Sequence, residues 1–343
     1  MSAILPLPPA PDGAWSAPWW LPGGNLQTIW PALFSHRHVG GTPPRLRRER
    51  WSTPDGDFVD VDFVLPQRPG AVGESAPPAA TPWLVLFHGL EGSSASHYAQ
   101  AFAHWAERQG WALALPHFRG CSGEPNLAPR AYHSGDYEEV DWILRRLRER
   151  SGGPLVAVGV SLGGNALLRW AEESGASAAG TARAVIAVSS PIDLAAAGRA
   201  IVQGFNRQVY NRMFLATMKP KALAKLVQHP GLFDRERLIA ARDLHAFDDV
   251  FTAPVHGFRD ADDYWARGSA KPHLGRIRVP ALVVNARNDP FVPADSLPRP
   301  GEVGRHVTLW QPLQGGHVGF PGGGFPGHVL GLPETVMAWA AAV

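Results

Sequence analysis

The segment Gly159-Val-Ser-Leu-Gly163 follows the apolar run Pro154-Leu-Val-Ala-Val158 and leads into a helix-compatible stretch, which puts Ser161 on a tight strand-to-helix turn. A serine held in so strained a turn needs tiny residues two positions to either side, and Gly159 and Gly163 supply them. Such a serine is suited to attack an acyl carbon, which makes three further demands on the chain. A base must take the hydroxyl proton, an acid must orient the base, and two backbone N–H groups must receive the oxyanion. A glycine-flanked serine alone is equally an ordinary turn in a chain with 37 glycines, so the role of Ser161 depends on what else is present.

Each remaining group stands at the end of a strand-like run. Trp83-Leu-Val-Leu-Phe87 runs into His88-Gly-Leu-Glu-Gly-Ser-Ser94, where an oxyanion loop belongs, so the N–H groups of Leu90 and Leu162 are the candidate donors. Val279-Pro-Ala-Leu-Val-Val-Asn285 is followed by Ala286-Arg-Asn-Asp-Pro290, with Asp289 in the turn. His306-Val-Thr-Leu-Trp310 precedes Gly315-Gly-His-Val-Gly-Phe320, with His317 on the loop. An Asp-Pro turn or a Gly-Gly-His loop alone would be structural. In the order serine, acid, histidine, each at a strand end, they make Ser161, Asp289 and His317 a candidate triad.

The elements that must position these groups alternate as β-α-β. Tyr98, Phe102 and Trp105 share one helical face, as do Val140, Ile143, Leu144 and Leu147, so the rhythm predicts a mainly parallel sheet covered on both sides. Ligands bind such sheets at the carboxyl ends of the strands. Asp57-Phe-Val-Asp-Val-Asp-Phe-Val-Leu65 alternates, which predicts a half-exposed strand, and residues 66–82 form a loop rich in proline, glycine and alanine. After Ala184-Val-Ile-Ala-Val188 the rhythm breaks into a helix-rich stretch before the sheet resumes near Val279. The expected organisation is a wrapping segment at 1–45, a catalytic body made of 46–191 and 276–343, and a helical cap at 192–275. Ile201, Phe205, Tyr210, Met213, Phe214, Leu215 and Met218 are candidates to line an acyl pocket under that cap. His229 and Asp234 have the His-x4-Asp spacing of some acyltransferases, but inside the cap and far from a strand end this reads as chance. The first 45 residues carry Trp19-Trp-Leu-Pro-Gly-Gly-Asn25 and Ile29-Trp-Pro-Ala-Leu-Phe34, which either wrap the body or touch a membrane surface; wrapping is expected, since no amphipathic helix with a basic face is evident.

Composition excludes several classes. Hydrophobic content of 45% supports a sizeable core, and a net charge of +2 is too mild for a nucleic-acid binder. The basic runs at 45–50 and 145–150 are interrupted by acids and apolar residues and read as solvated faces. The single cysteine, Cys121, excludes an intrachain disulfide. Its expected role is a small packed residue rather than a thiol nucleophile. Met1-Ser-Ala-Ile-Leu-Pro-Leu-Pro-Pro-Ala10 lacks both a basic leader and an unbroken apolar core, so a cytoplasmic location with no integral membrane span is expected. The 14 histidines show no metal-binding spacing, and neither a metal nor another cofactor is called for.

Beyond Gly-x-Ser-x-Gly, six segments are distinctive: Gly24-Asn-Leu-Gln-Thr-Ile29, His88-Gly-Leu-Glu-Gly92, Phe118-Arg-Gly-Cys-Ser-Gly123, Tyr132-His-Ser-Gly135, Asn288-Asp-Pro-Phe291 and Gly315-Gly-His-Val-Gly-Phe320. With them the chain resembles the YheT-like branch of the α/β-hydrolase superfamily, related to ABHD1/ABHD3-type esterases and phospholipases and to yeast medium-chain ethyl ester synthase/esterases. The resemblance implies an α/β-hydrolase fold, with a mainly parallel sheet of about eight strands and a cap. It also implies Ser161 as nucleophile, Asp289 as acid and His317 as base, and it leaves His88, Gly89, Gly159, Gly163, Arg119 and His133 as supporting residues. The activity expected is that of a serine carboxylic ester hydrolase taking short- to medium-chain acyl esters, with a small-molecule ester as its partner. An alcohol O-acyltransferase using the same acyl-enzyme is the alternative, and a non-catalytic ligand receptor the third; peptidases and thioesterases share the machinery. Oligomeric state stays open.

Overall fold

A computed structural model of the chain describes residues 7–11, 15–38, 42–66, 78 and 80–343, so most of the loop at 66–82 and the start of the chain lie outside the described residues. Eight strands form one sheet: β1 (Arg47–Ser52), β2 (Phe58–Val64), β3 (Trp83–Phe87), β4 (Ala112–Pro116), β5 (Leu155–Val160), β6 (Ala184–Val188), β7 (Ala281–Val284) and β8 (Val307–Trp310). Their order is β1-β2-β4-β3-β5-β6-β7-β8. The β1–β2 and β2–β4 pairs are antiparallel and the rest are parallel. The parallel strands are short, unbroken apolar runs because both faces of the sheet are covered. Trp83, Val85 and Phe87 pack on the side of α3 (Tyr137–Arg150) and α4 (Leu162–Ser174). Leu84 and Leu86 pack on the side of α2 (His97–Gln109) and α8 (Gly331–Ala341).

Local chemistry sets the helix ends. Glu138 and Glu139 open α3 while Arg148 and Arg150 close it, matching the helix dipole. Gly110, in the left-handed conformation, stops α2, and its N–H caps the carbonyls of Ala106 and Glu107.

β2 departs from expectation: it is buried along its whole length rather than half-exposed. The register pairs Arg48 with Asp62 and Arg50 with Asp60, and each guanidinium clamps its partner through two hydrogen bonds of 2.7–2.9 Å. The solvated arginines of β1 thus roof the aspartates of β2.

Between β6 and β7 the chain forms α5 (Leu194–Ile201), α6 (Arg212–Gln228), α7 (Ala261–Gly268) and shorter turns, including π-helical turns at Arg207–Asn211 and Asp248–Thr252. This insertion has its own small core around Leu215, Leu238, Phe247 and Phe251. Asn165 of α4 fastens its far end, donating to the carbonyls of Gly268 and Ser134 and accepting from the N–H of Ala270. Near the N-terminus, α1 (Gly23–Leu33) lies against the loops that follow β7 and β8.

Candidate active site

β3 has β4 on one side and β5 on the other, so the chain crosses over in opposite directions from it and a crevice opens at the carboxyl ends of β3 and β5. Ser161 stands there, between β5 and α4, with φ of 53°. Among the described residues five non-glycines have positive φ: Glu91, Ser161, Ser189, Val318 and Phe320. All lie on loops leaving the carboxyl ends of strands, so backbone strain is concentrated around this crevice. A Cβ on Gly159 would stand 2.4 Å from the Gly163 carbonyl oxygen, and one on Gly163 would stand 2.5 Å from that of His88. Only glycine lets β5, α4 and the end of β3 approach this closely.

The hydroxyl of Ser161 lies 3.0 Å from Nε2 of His317, and Nδ1 of His317 lies 2.9 Å from Oδ2 of Asp289. Facing a carboxylate, Nδ1 carries the proton, which leaves Nε2 as acceptor toward the serine. Oδ1 of Asp289 accepts from the N–H groups of Phe291 and Val292, and the Phe291 ring lies 4.2 Å from the imidazole, centroid to centroid. The three sequence-predicted residues, the outermost of them 156 positions apart, are thus brought into one hydrogen-bonded chain.

The loop after β3 is held at several points. His88 is fully buried, accepts at Nε2 from the N–H of Phe118 and therefore donates from Nδ1 to the carbonyl of Gly89. Burial pushes its pKa down to about 3, so it is neutral. The N–H of Gly89 donates to the Tyr98 hydroxyl and that of Glu91 to the Tyr132 hydroxyl. Gly89 itself lies so close that a Cβ there would stand 3.2 Å from Cβ of Ser161. Leu90 and Leu162 both line the cavity beside Ser161. Among the described residues no acceptor faces the N–H of Leu90, and that of Leu162, in the first turn of α4, has no intrahelical partner.

Arg119 and His133 do not touch the triad. Arg119 is buried among Glu139, Asp57 and Asp55, with hydrogen bonds of 2.5, 2.9 and 2.7 Å. His133 accepts from the N–H of Gly135, and its ring lies tilted against that of His256, 4.5 Å between centroids. His229 and Asp234 are also apart: the histidine bonds the Leu127 carbonyl, and the aspartate caps the helix at Arg235–Ala240. Burial raises the Cys121 thiol to about 12, which makes it a poor nucleophile. Among the described residues no group of three or more His, Cys, Asp or Glu could hold a metal.

Sequence reasoning missed Gln27 and Thr28. Oε1 of Gln27 accepts from the Asn288 side chain at 2.9 Å and the Gly315 N–H at 3.0 Å, and Oγ1 of Thr28 accepts from the N–H of His317 at 2.9 Å. Asn288 in turn accepts from the N–H of Gly316. One turn of α1 therefore ties the acid loop to the histidine loop. The signal was there, in Gly24-Asn-Leu-Gln-Thr-Ile29, but no local pattern says what a polar pair at the N-terminus will meet.

Two cavities are lined by Ser161, and a third adjoins one of them. A chamber of about 120 Å³ under the insertion is lined by Ser161, His317, Ile201, Phe214, Met218 and Phe291, among others. It shares Leu90, Leu162 and Asp248 with a chamber of about 460 Å³ deeper under the insertion. A mouth of about 500 Å³ runs from Ser161 past Met213 and Tyr210 to Leu33 of α1. Of the seven candidate lining residues, Leu215 instead turns into the core of the insertion and Phe205 faces solvent, because each lies on another side of its helix.

The description "alpha/beta hydrolase fold" belongs to the family whose pattern matches residues 82–323. "Putative esterase YheT" of Escherichia coli is 40% identical over 318 residues, covering 92% of this chain and 89% of that protein. Phospholipase ABHD3 of the mouse is 27% identical, covering 83% of this chain and 68% of that protein. An esterase from Pyrococcus furiosus, at 16% identity and a TM-score of 0.50 over 90% of this chain and 95% of its own, shares the fold. Together with the eight-stranded sheet, these likenesses make the chain a member of the α/β-hydrolase family, within its YheT-like and ABHD-type branch.

Proposed function

We propose that the protein is a serine carboxylic ester hydrolase acting on esters of short- to medium-chain acids through an acyl-enzyme on Ser161. The observation that carries this reading is the chain of hydrogen bonds from Ser161 through His317 to Asp289, beside two backbone N–H groups without acceptors. His317 removes the Ser161 proton at Nε2 as the oxygen attacks the ester carbonyl, and the Leu90 and Leu162 N–H groups receive the oxyanion. His317 then protonates the departing alcohol, and water repeats the sequence on the acyl-enzyme. Asp289 holds the tautomer and stabilises the imidazolium. The apolar chamber lined by Ile201, Phe214 and Met218 suits the acyl chain, with the insertion acting as its cap and the 1–45 segment as a wrap. His88, Gly89, Gly159 and Gly163 support the geometry, while Arg119 and His133 support the fold around it.

Labelling of wild type and Ser161→Ala with a fluorophosphonate probe tests the reading, alongside p-nitrophenyl esters from acetate to decanoate with and without ethanol. Labelling and turnover that vanish with the serine are expected. A folded wild type with neither would overturn it, and ester products formed with ethanol would assign the acyl-enzyme to alcohol transfer instead.

A further inference from the structure

We propose that the rim of the active-site mouth is a docking surface for an anionic lipid bilayer, with the cleft opening toward the lipid. The mouth passes between Leu33 of α1, 63% exposed, and Met213 of α6, 51% exposed, so its lips are apolar side chains standing in water. From α1 a run of aromatic contacts continues the apolar rim. The Trp30 ring lies 4.6 Å from Phe34 and 5.5 Å from Phe325, and Trp20 lies 5.5 Å from Phe325. Phe325 is 76% exposed, and Trp19 beside this cluster is more exposed still. Patches of this kind on a soluble surface mark contact sites, and tryptophan and phenylalanine suit the boundary between water and acyl chains.

Charge identifies the surface that covers the patch. The helical run from Arg207 through α6 turns Val209, Tyr210, Met213 and Phe214 to the mouth. Another face of the same run carries Arg207, Arg212 and Lys219, with Arg212 next in sequence to Met213 of the lip, and together with Arg242 they line a surface groove containing no acid. Lys219 donates to the Ile239 carbonyl, whereas the guanidinium groups of Arg207, Arg212 and Arg242 have no ion pair or side-chain hydrogen bond among the described residues. Exposed arginines elsewhere are either paired with carboxylates, as Arg48, Arg50 and Arg145 are, or stand singly among the described residues, as Arg108 and Arg235 do, so the clustering of three unpaired guanidiniums is what distinguishes this groove. An apolar lip beside unpaired cations is complementary to headgroup phosphate lying over acyl chains, a combination that a purely apolar or purely acidic protein face lacks. The same rim opens into the cavity holding Ser161, so a bilayer covering it is the phase from which an apolar substrate enters. No helix among the described residues is long and apolar enough to cross a membrane, so this contact is peripheral.

Co-sedimentation with phosphatidylcholine vesicles, with and without phosphatidylglycerol, reads the contact without any turnover and so stands apart from the proposed chemistry. Wild type is expected to bind the anionic vesicles and to be released by salt. Arg207→Ala, Arg212→Ala and Arg242→Ala combined should weaken binding by about 100-fold, from roughly fivefold per cation. Leu33→Ser with Phe34→Ser should weaken binding to the same vesicles. Turnover of a water-soluble short-chain ester by the arginine variant should match wild type, which shows that it is folded. Absence of binding, equal binding to neutral vesicles, or unchanged binding by the arginine variant would overturn the proposal. So would a concentration-dependent dimer that buries the rim.

Discussion

Two buried polar clusters lie near the carboxyl ends of this sheet, and they differ in what they leave unused. Around Arg119 the guanidinium is turned into Glu139, Asp57 and Asp55. Burial alone would raise the Asp57 carboxyl, but donors from Asn126, Leu127, Phe58 and Ala128 hold it below its ordinary value. Burial and the neighbouring Asp136 push Glu139 up to about 7 instead. Around Ser161 the same kinds of interaction orient His317, yet a hydroxyl and two N–H groups remain facing a cavity. The density of buried charge does not mark a reacting site. On the proposed reading, hydrogen-bonding capacity turned toward a cavity does, and Arg119, although it lines a chamber, has little left to offer a ligand.

The largest expected effect separates the clusters directly. Asp289→Asn should lower kcat by about 10⁴-fold through the wrong histidine tautomer, with the melting temperature near that of wild type. Arg119→Met should do the reverse, removing about 3–5 kcal/mol of stability by leaving buried carboxylates unpaired, while each folded molecule turns over nearly as before. Denaturant titrations paired with active-site-titrated kcat measure both. A hundredfold loss of kcat in Arg119→Met at unchanged stability would place that cluster in the reaction and erase the contrast.

The two clusters were not equally visible in the sequence. Ser161, Asp289 and His317 could be found because each ends an apolar run, and period and turn chemistry are local properties. The parallel core was legible for the same reason. The Arg119 cluster draws on four separate stretches of chain, and the burial of Asp60 and Asp62 depends on the β1–β2 register, which exists only after the strands pair. Gln27 meets Gly315 and Thr28 meets His317 across nearly 290 positions, contacts no local pattern encodes.

Gln27→Ala tests the ground between the clusters, because Gln27 touches neither Ser161 nor the His317 ring, yet joins the loops that carry Asp289 and His317. Loss of its buried acceptor should cost about 1–3 kcal/mol of stability. Slackening of the two loops should also lower kcat by about 10-fold to 10²-fold at nearly constant KM, since small misplacements weaken a triad. An effect on stability alone would make α1 a wrap with no part in geometry.

The smallest expected effect concerns His88, which lies beside the triad but resembles the Arg119 cluster in having both ring nitrogens engaged. Its folded pKa of about 3 lies below the ordinary 6.5. Between those values the unfolded chain therefore binds more protons than the folded one. The contribution of His88 to stability is full above about pH 6.5 and falls as pH drops through that window, by about 1.4 kcal/mol per pH unit at most. Unfolding free energy measured from pH 7 to pH 5 should fall more steeply in wild type than in His88→Asn, the two slopes differing by no more than this amount. If the His88 ring instead titrates near 6.5 by NMR, one nitrogen is free in the folded protein. His88 would then belong with the groups that face the cavity, and the boundary between the two clusters would run through the loop after β3 rather than around it.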